Sequence, residues 1–375
     1  MMNNNKAIIV TWKRLNNAYS CLLYLKNALE QYAEVELWSR TDSGNLPEKY
    51  QKNTYNILDL WYGKMVKIRY FLAQGDLFVK ALKEKKVVFI INDWDFFIPM
   101  YYVKKHNHTI SVIHYCTEIP GKDVKCLKLI DRFYKKHADY PDMIIDCLKE
   151  RAAWREKKYG LRRVFYINNT LPIADLKIDN DNCNINQFSS FSNNLPILLY
   201  AGGANLTRQL NEIINCVDQF KGKLNFLFFC YGNENEQRNL RDYCQQNCTG
   251  DNYRLNEAIP RKVLLQVMRQ CDIGVNYYPP EYSINHRYSA PSKFFEYMAS
   301  GLNILSTNNE GINEIINNEK IGTCIFEGED MAKALNRLLN NGLKSRKYIM
   351  DVFKKKYCYE VDAEKTLKYI IEKFF

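Results

Sequence analysis

The stretch that decides the fold is SAPSKFFEYMASG at residues 289–301, followed by LNILST at residues 302–307. Proline suits the first turn of a helix, and Gly301 stands where such a helix would end. The six residues after it read as a short buried strand. The N–H groups that begin this helix make an anion site with Lys293, and Glu296 lies within two turns, near enough to accept hydrogen bonds from hydroxyls. A site for a phosphate next to a site for a sugar hydroxyl is typical of nucleotide binding.

Strands and helices alternate along the rest of the chain, which favours an α/β fold with doubly wound parallel sheets. The pattern runs through residues 1–170, stops in the polar, asparagine-rich segment 171–194, and restarts over residues 195–350. We therefore predict two Rossmann-like domains that are joined by a linker and face each other across a cleft. The charged helices of residues 351–375 are expected to cross back to the first domain.

The net charge of +11 belongs to one half of the chain. Residues 1–170 hold 29 Lys and Arg against 18 Asp and Glu, whereas residues 171–375 hold 24 of each. We therefore expect an anionic partner, such as a membrane surface, at the first domain. We do not expect this partner to be a nucleic acid. No apolar run approaches 18 residues and the first residues lack a signal-peptide pattern, so the expected location is cytoplasmic, with a peripheral place on the cytoplasmic membrane face left open.

The twelve cysteines are scattered and form no CxxC pair. Cys244 and Cys248 are the closest pair, but no second pair matches them as zinc ligands. In a reducing compartment, free and mostly buried thiols are the simpler interpretation. We expect neither a metal site nor a cofactor.

A glycine pair follows the first strand of the second domain. Gly202 and Gly203 come directly after residues 196–201, PILLYA, so that backbone can approach a ligand closely there. A tight turn is the alternative interpretation. With Arg208 nearby, this loop offers a second phosphate contact beside Lys293.

Two further loops of the second domain are candidates for ligand binding. Ile259 precedes a predicted helix and could border an apolar slot for a base, although an ordinary helix start explains it equally well. The loop at residues 277–290 contains Arg287 and leads directly into the helix with the anion site. A loop of this length in a compact domain is more often functional than not.

Candidate acids and bases follow two strands of the first domain. His114 and Glu118 come at the end of one strand, where a histidine can transfer protons and a carboxylate can act as a base. A packed structural histidine is the alternative for His114. Asp93 follows another strand, and three roles are open for it. It could be the N-cap of a helix, contact the acceptor, or bind a metal together with Asp95. Its place in the domain without phosphate-type features argues against the metal.

Four segments resemble the GT-B-fold glycosyltransferases, particularly the family 4-like enzymes of bacterial polysaccharide assembly. The segments are PSKFFEYMASGLNIL at 291–305, YAGGANLTRQL at 200–210, NEAIPRKVLLQVMRQCDIGV at 256–275 and IHYCTEIP at 113–120. The resemblance covers nearly the whole chain, and the segment around 289–314 is its most specific part.

The resemblance implies a nucleotide-sugar donor in the second domain, an acceptor in the first and no requirement for a metal. Glu296 would hold the ribose, and Ile259 would border the base. At the diphosphate the resemblance places Ser292, Lys293, Gly202, Gly203 and Arg208. It aligns Glu118 with the family's cleft carboxylate.

The chain departs from the family at two places. Family members commonly have a second glutamate eight positions before Glu296, where this chain has Tyr288. The family's glycine-rich loop after the first strand is also absent. Lys13, Arg14 and Asn16 occupy that place and are assigned to the acceptor.

The resemblance thus implies a metal-independent hexosyltransferase with UDP as the nucleotide of its donor. Its acceptor would be a glycan or lipid-linked glycan in cell-surface polysaccharide synthesis. We expect a retaining reaction, in which the leaving phosphate takes the proton; in an inverting reaction, which stays open, Glu118, Asp93 or His114 would act as the base. Two alternatives stay open. A nucleotide-sugar 2-epimerase has the same architecture, and a non-catalytic GT-B partner subunit would tolerate the missing glutamate.

Overall fold

The computed structural model describes residues 5–12, 20–39, 54–56, 66–119, 125–177, 185–191, 193–206 and 210–375. The chain divides into two compact units. Unit 1 is Met1–Asn169 with Asp362–Phe375, and unit 2 is Thr170–Val361. No helix within the described ranges is both long and apolar enough to cross a bilayer.

Unit 1 alternates strands and helices in chain order. Its elements before the crossing are β1 (Lys6–Val10), α1 (Ser20–Leu29), β2 (Glu34–Ser39), β3 (Thr54–Asn56), α2 (Val66–Lys83), β4 (Val87–Asn92), α3 (Phe97–His106), β5 (Ser111–Cys116), α4 (Lys125–His137), β6 (Met143–Asp146), α5 (Lys149–Tyr159) and β7 (Val164–Tyr166). The described strands form one parallel sheet in the order β3-β2-β1-β4-β5-β6-β7. The order reverses between β1 and β4.

Unit 2 repeats the pattern. Its strands and helices are β8 (Ile197–Gly203), α6 (Leu210–Ile214), β9 (Asn225–Tyr231), α7 (Glu234–Asn247), β10 (Tyr253–Glu257), α8 (Arg261–Met268), β11 (Ile273–Asn276), α9 (Ile284–Arg287), α10 (Ser292–Ser300), β12 (Asn303–Thr307), α11 (Ile312–Glu319), β13 (Gly322–Ile325), α12 (Met331–Asn340) and α13 (Arg346–Val352). The parallel sheet runs β10-β9-β8-β11-β12-β13, and its order reverses between β8 and β11.

The strands form because their apolar runs are buried from both sides. All six residues of β4 and all five of β12 are buried, as expected for parallel strands covered by helices on both faces. Phe89 and Phe97 belong to the core of unit 1, and Phe226 and Phe228 to that of unit 2. The doubly wound α/β fold predicted from the sequence is confirmed.

Local details differ from the sequence prediction. The sequence pattern of residues 40–60 is irregular, yet the strand β3 lies within them. The pattern of residues 206–220 predicts one helix, whereas the structure has the short α6 and then a 3-10 turn at Asp218–Phe220. The helix at the stretch that decides the fold begins at Ser292, with Pro291 as its N-cap rather than in its first turn.

The chain passes between the units twice, between residues 169 and 170 and between residues 361 and 362. After the first crossing, 3-10 turns at Ile173–Leu176 and Ile185–Gln187 interrupt the asparagine-rich segment. Near the end of unit 2, a π-helical turn at Phe353–Tyr357 leads to α14 (Tyr359–Asp362), and α15 (Glu364–Phe374) follows in unit 1. Within unit 1, the Thr366 hydroxyl of α15 donates to the Tyr166 carbonyl at 2.7 Å.

Candidate functional site

The reversal point of the unit 2 sheet forms a pocket. In doubly wound folds, ligands bind outside the carboxyl ends of the strands at this point. The pocket encloses about 30 Å³, enough for one or two water molecules. Its lining residues come from the ends of β8, β9 and β11, from the loop after β11 and from α10, and they are Tyr200, Gly203, Tyr231, Val275, Asn276, Tyr277, Tyr278, His286 and Lys293.

The side chain of Tyr200 lies next to both the glycine pair and Lys293. A Cβ atom on Gly202 would lie 2.3 Å from the Tyr200 hydroxyl oxygen, so the ring can fold over this position only because Gly202 has no side chain. The hydroxyl donates to the Gly203 carbonyl at 3.2 Å. The Lys293 Nζ lies 5.7 Å from the centroid of the same ring, in cation–π range. Burial raises the pKa of the Tyr200 hydroxyl, which therefore stays neutral.

The start of α10 presents backbone donors. Pro291 is its N-cap, and the side chain of this residue makes no capping hydrogen bond. Ser292 and Lys293 are the first two residues of the helix, where backbone N–H groups and the helix dipole favour an anion. The structure therefore brings Gly203, the start of α10 and Lys293 together at one pocket.

Glu296 lies one turn further along α10 and is held by an arginine that sequence reasoning missed. The carboxylate is 6% exposed, and its Oε1 accepts a hydrogen bond from Nε of Arg261 at 2.6 Å. The Nη1 group of Arg261 donates to Oδ2 of Asp175 at 3.0 Å. Arg261 is the first residue of α8, two positions after the half-buried Ile259. This contact brings Glu296 next to the loop that was predicted to border a base.

Arg287 is placed away from this pocket. Its side chain is 56% exposed and forms an ion pair with Glu310 at 3.0 Å. It does not line the pocket. The assignment of Arg287 to the donor stays a prediction. Arg208 lies outside the described residues.

The loop after β11 contributes His286 instead. Asn309 holds this loop, because its Nδ2 donates to the carbonyls of Tyr278 and His286 at 2.6 and 2.7 Å. Beside it, the buried Oδ1 of Asn276 has no hydrogen-bond partner within the described ranges. The local sequence does not indicate that His286 or Asn276 belongs to the site, because the position of each depends on how this loop folds over the strand ends.

In unit 1, Asp93 shapes the turn that presents Glu118. Oδ1 of Asp93 accepts hydrogen bonds from the N–H groups of Thr117 and Glu118 at 2.6 and 2.9 Å, and Oδ2 accepts from the Thr117 hydroxyl at 2.6 Å. Asp93 is 4% exposed and does not cap α3, whose N-cap is Phe96. Glu118 itself is exposed. Asp93 is therefore a supporting residue, and its assignment as a catalytic base is corrected.

His114 is buried completely, which favours the packed structural histidine over a residue that transfers protons. Its Nε2 lies 2.6 Å from the Asp93 carbonyl oxygen, and aromatic rings of Trp94 and Phe97 surround it. Burial, assisted by the charge of Arg155, lowers the pKa of His114 to about 3. A side chain without solvent access cannot exchange a proton with an acceptor, so His114 is a packing residue.

The remaining predicted residues fall elsewhere. Lys13, Arg14 and Asn16 lie outside the described residues. They follow β1, whose neighbour across the reversal point is β4, and Thr11 and Asn92 at the ends of these strands are hydrogen-bonded at 3.1 Å. No group of three or more His, Cys, Asp or Glu within the described part of the chain is arranged to hold a metal ion.

Comparison with known proteins supports a glycosyltransferase fold. Residues 182–355 match the family model described as "Glycosyl transferases group 1". No curated protein sequence matches the chain. Among solved structures, a glycosyltransferase from Rickettsia africae superposes with a TM-score of 0.72 at 10% identity, covering 99% of both chains.

Two further structures have the same fold. HepE from Anabaena, in complex with UDP and glucose, gives a TM-score of 0.75 at 11% identity over 98% of this chain and 100% of that one. WaaG, a glycosyltransferase involved in lipopolysaccharide biosynthesis, gives 0.65 at 12% identity over 97% and 99%. The chain thus has the GT-B fold, and its residues 182–355 are similar to the group 1 glycosyltransferase domain.

Proposed function

We propose that this protein is a glycosyltransferase that moves a hexosyl group from a UDP-sugar to a glycan or lipid-linked glycan acceptor in cell-surface polysaccharide synthesis. The observation that carries the proposal is the pocket that joins Gly203, Lys293 and the start of α10 within a domain similar to the group 1 glycosyltransferase domain. The complex of HepE with UDP and glucose and the role of WaaG in lipopolysaccharide biosynthesis support the donor and the pathway.

The proposed reaction retains the configuration of the sugar and uses no metal. The bond between the anomeric carbon and the diphosphate breaks, the acceptor oxygen bonds to the same face, and its proton passes to the leaving phosphate. Lys293 and the first N–H groups of α10 stabilise the charge that develops on the diphosphate. In such a mechanism the protein need not supply a base.

Binding of UDP tests the donor site. We expect UDP and UDP-sugars to raise the melting temperature of the protein by mass action, and more than GDP, ADP or CDP at equal concentration. Lys293→Met should weaken UDP binding about 10- to 100-fold, because a charge-assisted contact to phosphate is worth about 1.5–3 kcal/mol. The measurement is a thermal-shift titration, and Lys347→Met at an exposed position of α13 is the matched control.

A panel with no response to any nucleotide would contradict the proposal. Turnover then separates transferase from epimerase, since a 2-epimerase converts a UDP-sugar without any acceptor, whereas the proposed enzyme needs one. If Lys293→Met binds UDP as tightly as the parent protein does, the diphosphate does not bind at the start of α10. Loss of transfer with a chelator would argue against the metal-independent reaction.

The partner that we propose for unit 1 is an anionic acceptor, or the anionic membrane face that displays it. The excess positive charge of the chain lies in residues 1–170, and in the described helices much of it lies in last turns, such as Lys105 in α3, Lys136 in α4 and Lys157 in α5. All three side chains are exposed. Polybasic surfaces bind anionic lipid by about 1 kcal/mol per residue near the surface. This charge supports the proposal that the enzyme works at the cytoplasmic face of a membrane.

A further inference from the structure

Glu296 and Asp175 lie 121 positions apart in the chain, and the side chain of Arg261 joins them. The Nε–H of Arg261 donates to Oε1 of Glu296 at 2.6 Å, and its Nη1 group donates to Oδ2 of Asp175 at 3.0 Å. The guanidinium is mostly covered, with 19% of its side chain exposed. Asp175 lies in the 3-10 turn that follows the first crossing between the units.

The two carboxylates fix the guanidinium, and the guanidinium fixes one oxygen of Glu296. Charge-assisted hydrogen bonds of this kind are short and strongly directional. Glu296 is 6% exposed, so this hydrogen bond also satisfies a polar atom that burial removes from water. Among the described residues no hydrogen-bond donor reaches the second oxygen, Oε2, which leaves it as an acceptor.

We propose that Arg261 is a positioning residue for nucleotide recognition. It occupies Oε1 of Glu296 and aims Oε2 at a ribose hydroxyl, and Asp175 holds Arg261 in this orientation. The inference rests on the proposed function, because it assumes that the nucleotide lies along α10 with its phosphates at Lys293. Its new content is that preference for a ribonucleotide over a deoxyribonucleotide depends on Arg261, which itself makes no contact with the ribose.

The arrangement also links the nucleotide site to the crossing segment. Arg269, the C-cap residue of α8, donates to the carbonyl of Leu176, next to Asp175. Arginines at the two ends of α8 therefore hold the turn at Ile173–Leu176. We expect Asp175→Asn to act on ribose preference in the same direction as a change at Arg261, but by a smaller factor, because Arg261 retains its bond to Glu296.

Binding of UDP, 2′-deoxy-UDP and 3′-deoxy-UDP, measured by isothermal titration calorimetry on the full chain, tests the proposal. For the parent protein we expect UDP to bind about 10- to 100-fold tighter than at least one deoxy form, as expected for a hydroxyl that donates to a carboxylate. Arg261→Met should reduce this preference to less than about threefold, as should Glu296→Gln. In the double variant the two effects should not add, because both remove the same interaction.

Two further variants separate positioning from other roles. Arg261→Lys keeps the charge without the planar fork, so we expect an intermediate preference. Arg337→Met breaks another arginine–glutamate pair of unit 2, with Glu329, and should leave the ribose preference at the parent value. If Arg261→Met does not fold, Asp175→Asn still has to reduce the preference.

The outcomes distinguish this inference from the proposed function. A parent protein that binds UDP with a ribose preference, which Arg261→Met retains, overturns the positioning role. An equal weakening of UDP and its deoxy forms by Arg261→Met also overturns it, since that result means direct contact with the phosphates or the base. A parent protein that binds none of the three nucleotides overturns the proposed function itself.

Discussion

Glu118 is the residue at which the proposed mechanism is easiest to challenge. It is exposed after the end of β5, and Asp93 fixes its backbone N–H at 2.9 Å. A carboxylate that extends from a fixed backbone position can act as a base or orient an acceptor hydroxyl. The two roles differ in how far kcat falls when the carboxylate is removed.

We expect Glu118→Gln to raise KM for the acceptor and to lower kcat less than about 100-fold, because the leaving phosphate takes the proton in a retaining reaction. General-base catalysis contributes about 10²–10⁴-fold, so a larger loss of kcat would indicate an inverting reaction with Glu118 as base. Steady-state kinetics with varied acceptor concentration provides the measurement.

Asp93→Asn is the informative companion to that variant. It replaces an acceptor oxygen with an N–H₂ group facing existing donors, and should cost about 2 kcal/mol of the free energy of unfolding. Glu118→Gln should leave the melting temperature nearly unchanged because the side chain is exposed. Asp93→Asn with full stability would show that the turn does not depend on this carboxylate.

At the scale of elements, α10 depends on how it ends as well as on how it begins. Gly301 follows its last residue with φ of 79°, in the left-handed region. A Cβ atom there would lie 2.3 Å from Cγ and 2.8 Å from the carbonyl oxygen of Arg346. Arg346 in turn donates to the carbonyl of Ser300 at 2.8 Å, so the end of α10 and the start of α13 hold each other.

We expect Gly301→Ala to destabilise unit 2 by about 2–4 kcal/mol, combining left-handed strain with overpacking against Arg346. Gly328→Ala is the matched control, since Gly328 has φ of 72° but nothing within 4 Å of its added Cβ, and should cost only the strain of about 1–2 kcal/mol. Chemical denaturation measures both. Equal losses for the two variants would mean that the contact with Arg346 relaxes freely.

At the scale of the whole molecule, the two units differ in charge more than in fold. Residues 171–375 have no net charge, whereas residues 1–170 have a net charge of +11. Part of this charge compensates the C-terminal ends of the unit 1 helices, where cations are favoured by the helix dipole. The remainder is available to an anionic partner.

We expect the protein to bind vesicles with 30% phosphatidylglycerol at low salt and to be released by about 0.5 M NaCl, because salt screens exposed charges. Phosphatidylcholine vesicles should not bind. Lys105→Glu with Lys136→Glu and Lys157→Glu should weaken binding at least about tenfold. Co-sedimentation measures the bound fraction.

The control for that experiment lies in unit 2. Lys333→Glu with Lys347→Glu also changes exposed lysines, yet should leave vesicle binding at the parent level. Equal loss in both sets of variants would mean that binding follows net charge alone and not the surface of unit 1.

The sequence by itself determined the fold and the helix at the centre of the site. The end of α10 at Gly301, the buried strand after it and the glycines after β8 are local features, read from residue types and short spacings. The tertiary structure alone decided which side chains meet. Neither the partnership of Glu296 with Arg261 nor the burial of His114 follows from local spacing, because each depends on helices and strands that pack together across long stretches of chain. Lys293 and Glu296 were therefore predictable as candidates, while Arg261 and Asp175 were not.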